Sequence, residues 1–128
     1  MLNLTLPWPP KDLSPNARVH WTKRSKAAKA YRKECGWQVV AAGPRPKFSE
    51  SGPITLDIEF VEPDKRRRDL DNMLASIKAG IDGIADALGV NDRRFVFRIA
   101  RSEAIGGMVR VRVSEDVQLA THADGVAA

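Results

Sequence analysis

The sequence predicts a single two-layer α+β domain, a mixed β-sheet against two main helices in the order β-α-β-α-β-β. Three patterns carry that expectation: Leu2, Leu4 and Leu6 alternating with polar neighbours, a second strict alternation over residues 54–60, and an apolar stripe at helical spacing from Ile77 to Leu88. At 128 residues the chain is one domain long, and 43% hydrophobic residues suffice for one core.

The first strand is short, because Pro7-Trp8-Pro9-Pro10 ends it abruptly. Residues 11–21, with Pro15 and Asn16, read as a loop, and Thr22 or Ser25 as the cap of a helix reaching about Ala42. Ala28, Tyr31, Cys35 and Val39 share one face of it, Gly36 weakens it, and Gly43-Pro44-Arg45-Pro46 stops it. Ile54, Leu56, Ile58 and Phe60 alternate with Thr55, Asp57 and Glu59, a strand with one buried face, closed by Pro63. A second helix is expected over 73–88, with Ile77, Ile81, Ile84 and Leu88 as its buried stripe and Gly89 as its stop. Gly80 and Gly83 inside it suggest close packing against a helix or a subunit. Phe95–Arg101 and Met108–Val113 read as two strands of a hairpin joined through Ile105-Gly106-Gly107, with Val109, Val111 and Val113 on one side. Residues 114–128 read as a flexible tail.

The 21 Lys and Arg outnumber the 16 Asp and Glu, giving a net charge of +5 and favouring a polyanionic partner such as nucleic acid. Cys35 is the sole cysteine, which excludes an intramolecular disulfide and a cysteine-based zinc site; its simplest role is a half-buried thiol in a reducing compartment. His20 and His122 have no partner at ligand spacing. No signal-peptide pattern and no bilayer-length apolar run is present, so a soluble, cytoplasmic protein without a membrane partner is expected.

The chemistry concentrates in Pro63-Asp64-Lys65-Arg66-Arg67-Arg68-Asp69-Leu70-Asp71-Asn72, between a strand and a helix. In an extended segment Asp69 and Asp71 point to the same side and can share a hard cation such as Mg²⁺, which takes one or two carboxylates together with waters and substrate phosphate. Asn72 can cap the helix or touch the same site, and Asp92 can add a third oxygen ligand if the chain folds back after Gly89. Lys65, Arg66, Arg67 and Arg68 can grip flanking phosphates. Each signal also has a plainer reading: an Asp-x-Asp is a common helix start, a basic run is often a solvated surface or an ion-pair partner of nearby acids, and Lys78 can pair with Asp82 one turn on.

With these residues in view the chain resembles the RusA-like Holliday junction resolvases over most of residues 2–113. Leu4-Thr5-Leu6-Pro7-Trp8-Pro9-Pro10 is similar to that family's opening strand and turn, Tyr31-Arg32 sits in a similar first helix, and Arg66-Arg67-Arg68-Asp69-Leu70-Asp71-Asn72 resembles its signature. Lys78-Ala79-Gly80-Ile81-Asp82-Gly83-Ile84 and Asn91-Asp92 follow in the family's order. Two departures stand out: Lys78 lies about one helical turn further from Asn72 than in the family pattern, and the family's Asp-Asp pair is Asn91-Asp92 here.

The resemblance implies a RusA-like endonuclease domain over 1–113, in which Asp69, Asp71 and Asp92 bind Mg²⁺, or Mn²⁺ in its place, and Lys78 acts at the scissile phosphate. Arg68 and Asn72 would position substrate or ligands. It further implies a homodimer that resolves four-way DNA junctions by paired symmetric nicks, in recombination and repair, without an organic cofactor. The alternatives are a DNA-binding module without catalysis, in which only the arginines matter, and a less selective metal-dependent nuclease acting on flaps or nicked duplex.

Overall fold

The computed structural model describes residues 1–115. Strand β1 (Leu2–Pro7) is followed by a 3-10 turn at Lys11–Leu13 and helix α1 (Trp21–Ala41). Strand β2 (Ile54–Val61), helices α2 (Leu70–Ser76) and α3 (Lys78–Leu88), and a 3-10 turn at Asp92–Arg94 come next, before strands β3 (Phe95–Arg101) and β4 (Met108–Glu115). This is the α+β domain expected, with one four-stranded mixed sheet in the order β1-β4-β2-β3.

The core follows from strand register. Leu2, Val113 and Leu56 stand side by side, as do Leu4, Val111 and Ile58, then Leu6, Val109 and Phe60. All nine side chains are buried, as period-2 alternation with one covered face requires. On the opposite face the same strands carry Thr5, Arg110 and Glu59, with a 3.3 Å ion pair between the last two.

Helices α1 and α3 cover the apolar face. Tyr31, Cys35 and Val39 of α1 meet the stripe Ile77, Ile81, Ile84 and Leu88, all buried. The two helices approach closely because glycines line the contact. A Cβ added at Gly83 would lie 2.0 Å from the Arg32 carbonyl oxygen, and one at Gly80 would lie 2.7 Å from the Tyr31 ring. Of the two explanations open for these glycines, helix packing is the one found. Gly89 ends α3 in the left-handed region, φ 68°, where glycine carries no Cβ penalty. The Cys35 thiol is fully buried rather than half-buried, and desolvation pushes it up to about 12, so it is an unreactive core group.

Arg32 clamps the same helix pair from outside, donating from Nε and Nη2 to both carboxylate oxygens of Asp86 at 2.6 and 2.9 Å. Hydrogen bonds from this guanidinium hold the Asp86 carboxyl below the usual range. A depressed carboxyl contributes stability that is present above the ordinary Asp pKa and lost as pH falls through the lowered one. Asp86→Asn should therefore flatten the acid-side fall in Tm below roughly pH 4, by a small amount because both partners are exposed. Superimposable Tm profiles for the two proteins would show that the clamp contributes nothing.

Several local expectations are corrected. The expected hairpin is absent: β3 pairs parallel with β2, and β4 pairs antiparallel with β2 on its other edge. The connection wraps the end of β2, where the backbone N–H groups of Ser102, Gly106 and Gly107 donate to the carbonyls of Phe60, Glu62 and Val61. The helix expected over 73–88 begins earlier, at Leu70, and breaks at Ile77, whose N–H turns back to Leu74 while the Ser76 hydroxyl bonds the Asn72 carbonyl. His20, which has no partner at ligand spacing, caps α1 by accepting from the Thr22 N–H, so neither Thr22 nor Ser25 is the cap. Strand β4 runs to Glu115, two residues into the expected tail, and Glu115 accepts from Ser49; the rest of that tail lies outside the described residues. Among the described residues no helix is long and apolar enough to cross a membrane.

Candidate nucleic-acid and metal site

The segment after β2 is folded around one side chain. Glu62, buried at the strand's end, takes Arg101 Nε at 2.7 Å and Arg68 Nη1 at 3.3 Å, and Arg68 also reaches Asp64 at 3.0 Å. Arg101 donates a further bond to the Arg68 carbonyl, which fastens the loop to the end of β3. The Arg68 guanidinium lies 5.6 Å from the Trp8 ring centre, and Trp8 stands edge-on to Phe60. A buried carboxylate is tolerable only when paired, so Glu62 fixes where the loop can go. Its partner Arg68 is committed to this internal network and is not a free phosphate contact. Asp64, hydrogen-bonded by Arg68, is held below its usual carboxylate range.

Asp69 closes the loop as the N-cap of α2, with an extended backbone and Oδ1 accepting the Asp71 N–H at 3.0 Å. The two acids are therefore not on one side of an extended segment. Asp71 is in the first helical turn, and they adjoin through the cap. Asn72 is not the cap; its side chain faces a groove beside the loop.

That groove encloses about 730 Å³. Trp8, Pro9, Pro10, Lys11 and Arg18 from the β1–α1 connection and Lys23 from the start of α1 line it together with Arg66, Arg67 and Asp69 from the loop before α2. Lys23 stands 4.0 Å from Asp12. Among the described residues Lys11, Arg18, Arg66 and Arg67 have no carboxylate within ion-pair distance. Lys65 is exposed but does not line the groove.

Asp92 does not join the pair. Strands β2 and β3 run parallel with Ile54 beside Phe95 and Phe60 beside Arg101, so α2 and α3 must carry the chain back along the sheet. Asp92 precedes the start of β3, whereas Asp69 follows the loop fastened to its end. Seven strand residues span roughly 20 Å. The expected return of the chain to the first two acids is thus overturned by the parallel pairing. Among the described residues no three of His, Cys, Asp and Glu gather as a metal-holding group. Lys78, exposed at the start of α3, lies about 10 Å along α2 from the acids, outside the groove, and no ion pair to Asp82 forms.

The donor set suits a hard cation in part. Asp69 has one carboxylate oxygen taken by the cap and Asp71 is exposed, so the chain offers two neighbouring carboxylates, the number that commonly holds Mg²⁺ with waters. Glu62, Arg101, Trp8, Lys11, Arg18 and Lys23 were not singled out from the sequence. Glu62, an acid placed directly after the apolar pair Phe60-Val61 and before Pro63, was the one local sign of the network.

What the fold defines is a single small α+β domain with a mixed four-stranded sheet and three helices. No protein-family model matches the sequence. An uncharacterized protein of Xylella fastidiosa (strain Temecula1 / ATCC 700964) is 50% identical over 103 residues, a match covering 75% of this chain and 63% of the relative. The chain therefore spans less than two thirds of that relative's length.

Proposed function

We propose that this protein is a Mg²⁺-dependent endodeoxyribonuclease of the RusA-like kind, acting as a homodimer on four-way DNA junctions. The observation that carries the reading is the adjacency of Arg66 and Arg67, without a carboxylate partner among the described residues, to the carboxylates of Asp69 and Asp71 at one element junction. Arg66 and Arg67 bind the phosphates flanking the scissile one, and the Glu62–Arg68–Arg101 network keeps their loop in place. Asp69, through the oxygen the cap leaves free, and Asp71 would hold the ion. When bound, it would polarise the phosphate and make an attacking water more acidic. The second carboxylate oxygen of Asp71 is left to accept a hydrogen bond from that water, and the exposed position of Asp71 lets a strand approach.

Asp92 precedes β3 while the pair follows the loop fastened to the other end of that strand, so on this reading Asp92 serves the site of the second protomer. Two-fold symmetry then supplies two sites for two strands. Mixing decides the point. Asp71→Asn and Asp92→Asn homodimers should each be inactive, while mixed dimers, which retain one complete site, should regain single-strand nicking of a junction. A mixture as inactive as its parents would withdraw Asp92 from the site.

A second reading, a DNA-binding module without catalysis, is favoured by the lack of a third carboxylate beside the pair among the described residues. It predicts salt-sensitive binding unaffected by Asp71→Asn and no strand scission in Mg²⁺. Cleavage of flaps and nicked duplex as fast as junctions would instead mark a less selective nuclease.

A further inference from the structure

We propose that the wall formed by the β1–α1 connection is a second phosphate-binding surface, in which Lys11 and Arg18 hold the backbone of one nucleic-acid strand against Arg66 and Arg67. The inference rests on the nucleic-acid part of the reading above and is independent of cleavage. Four cations that have no carboxylate partner among the described residues line one groove from two separate parts of the chain. Like charges brought together repel, and a polyanion threaded between them removes that repulsion.

The wall is built rather than loose. Arg24 of α1 donates to the Ser14 carbonyl at 3.2 Å and to the Ala17 carbonyl at 2.9 Å, pinning the stretch that leads to Arg18. Leu13 is buried beneath the turn that carries Lys11, and the Tyr31 hydroxyl bonds the Pro7 carbonyl at 2.7 Å, anchoring the Trp8–Pro10 turn. A pinned backbone need not be ordered on binding, which lowers that part of the cost for the cations it carries.

The size and lining of the groove suit one strand. At about 730 Å³ it is of the size that holds a small organic ligand, roughly 300–1,000 Å³, or a few nucleotides. Trp8, Pro9 and Pro10 give the groove an apolar side for sugars and bases while the cations track phosphates, the combination that single-strand grooves use. In a branched substrate such a strand is available where helices part.

The test is binding of a fluorescent 12-residue oligothymidylate and of a blunt duplex of equal length to the full chain, by anisotropy over a salt series. Lys11→Ala/Arg18→Ala should reduce the slope of log K against log salt for the single strand by about 1.4, about 0.7 for each phosphate that is no longer neutralised. Arg66→Ala/Arg67→Ala should reduce it by a similar amount, and Arg112→Ala, on the exposed opposite sheet face, should leave it unchanged. Lys11 and Arg18 are both exposed, and an unchanged melting curve will show that the double variant is folded. An unchanged slope in Lys11→Ala/Arg18→Ala overturns the proposal, as does an equal reduction in Arg112→Ala or a reduction confined to the duplex. The predicted slopes in a protein that cuts nothing in Mg²⁺ would support this surface while overturning the nuclease.

Discussion

Gly83→Ala is expected to destabilise the protein by about 3 kcal/mol or more, lowering Tm by roughly 10 °C or preventing folding outright. The added carbon would sit 2.0 Å from the Arg32 carbonyl oxygen and 2.9 Å from its carbonyl carbon, both backbone atoms of α1. No rotamer change relieves such a contact, so α1 and α3 must separate and loosen the packing of Tyr31, Cys35 and Ile84 between them. The helix-propensity gain of alanine over glycine, about 1 kcal/mol, is too small to offset this. Gly80→Ala should be milder, about 1–3 kcal/mol, because its Cβ meets the Tyr31 ring and the Cys35 sulfur, side-chain atoms that can shift. Thermal unfolding followed by circular dichroism measures both. A Gly83→Ala protein with wild-type Tm would mean that the helices do not pack at this distance.

Asp71→Asn should lower cleavage at least about a hundredfold, on the scale of removing one preorganised electrostatic group from an active site. Its junction affinity should stay equal or rise, since one negative charge near phosphates is removed. Asp71 is the cleaner probe of the two acids. It is exposed and its side chain makes no hydrogen bond among the described residues, whereas Asp69 also caps α2. Loss of a cap costs about 1 kcal/mol and would mix folding with function. A folded Asp71→Asn protein that cuts at the wild-type rate would place the metal elsewhere.

Where periodicity and burial coincide, the elements were legible in the sequence. The alternations at Leu2–Leu6 and Ile54–Phe60 became β1 and β2, and the stripe from Ile77 to Leu88 is buried as expected. The break at Ile77 was hidden because the stripe runs straight through it, and the cause is a local backbone turn with a Ser76 hydroxyl bond that hydrophobic spacing does not register. The β3–β4 hairpin was misread for a different reason. Two strand-like runs with a short glycine-bearing connection satisfy a local rule, while the strand that comes between them lies some forty residues earlier in the chain. At the candidate site the acids and arginines were visible as residue types, but the partners that sort them were not. Glu62 meets Arg101 across 39 positions, and that contact helps to hold Arg68 inward while Arg66 and Arg67 have no carboxylate partner among the described residues. The parallel pairing of β2 and β3, also nonlocal, is what moved Asp92 to the far end of the sheet.

On the proposed reading Asp69 and Asp71, beside the groove that Arg66 and Arg67 line, hold the metal for cutting a DNA junction. The direct test is cleavage of an end-labelled synthetic four-way junction, alongside a matching linear duplex, by wild type and Asp71→Asn in Mg²⁺ and in EDTA. Paired symmetric nicks in the junction with wild type and Mg²⁺, absent from the duplex, from the variant and from EDTA, are the expected result. Tight junction binding by a folded wild-type protein that leaves every strand intact in Mg²⁺ would contradict it.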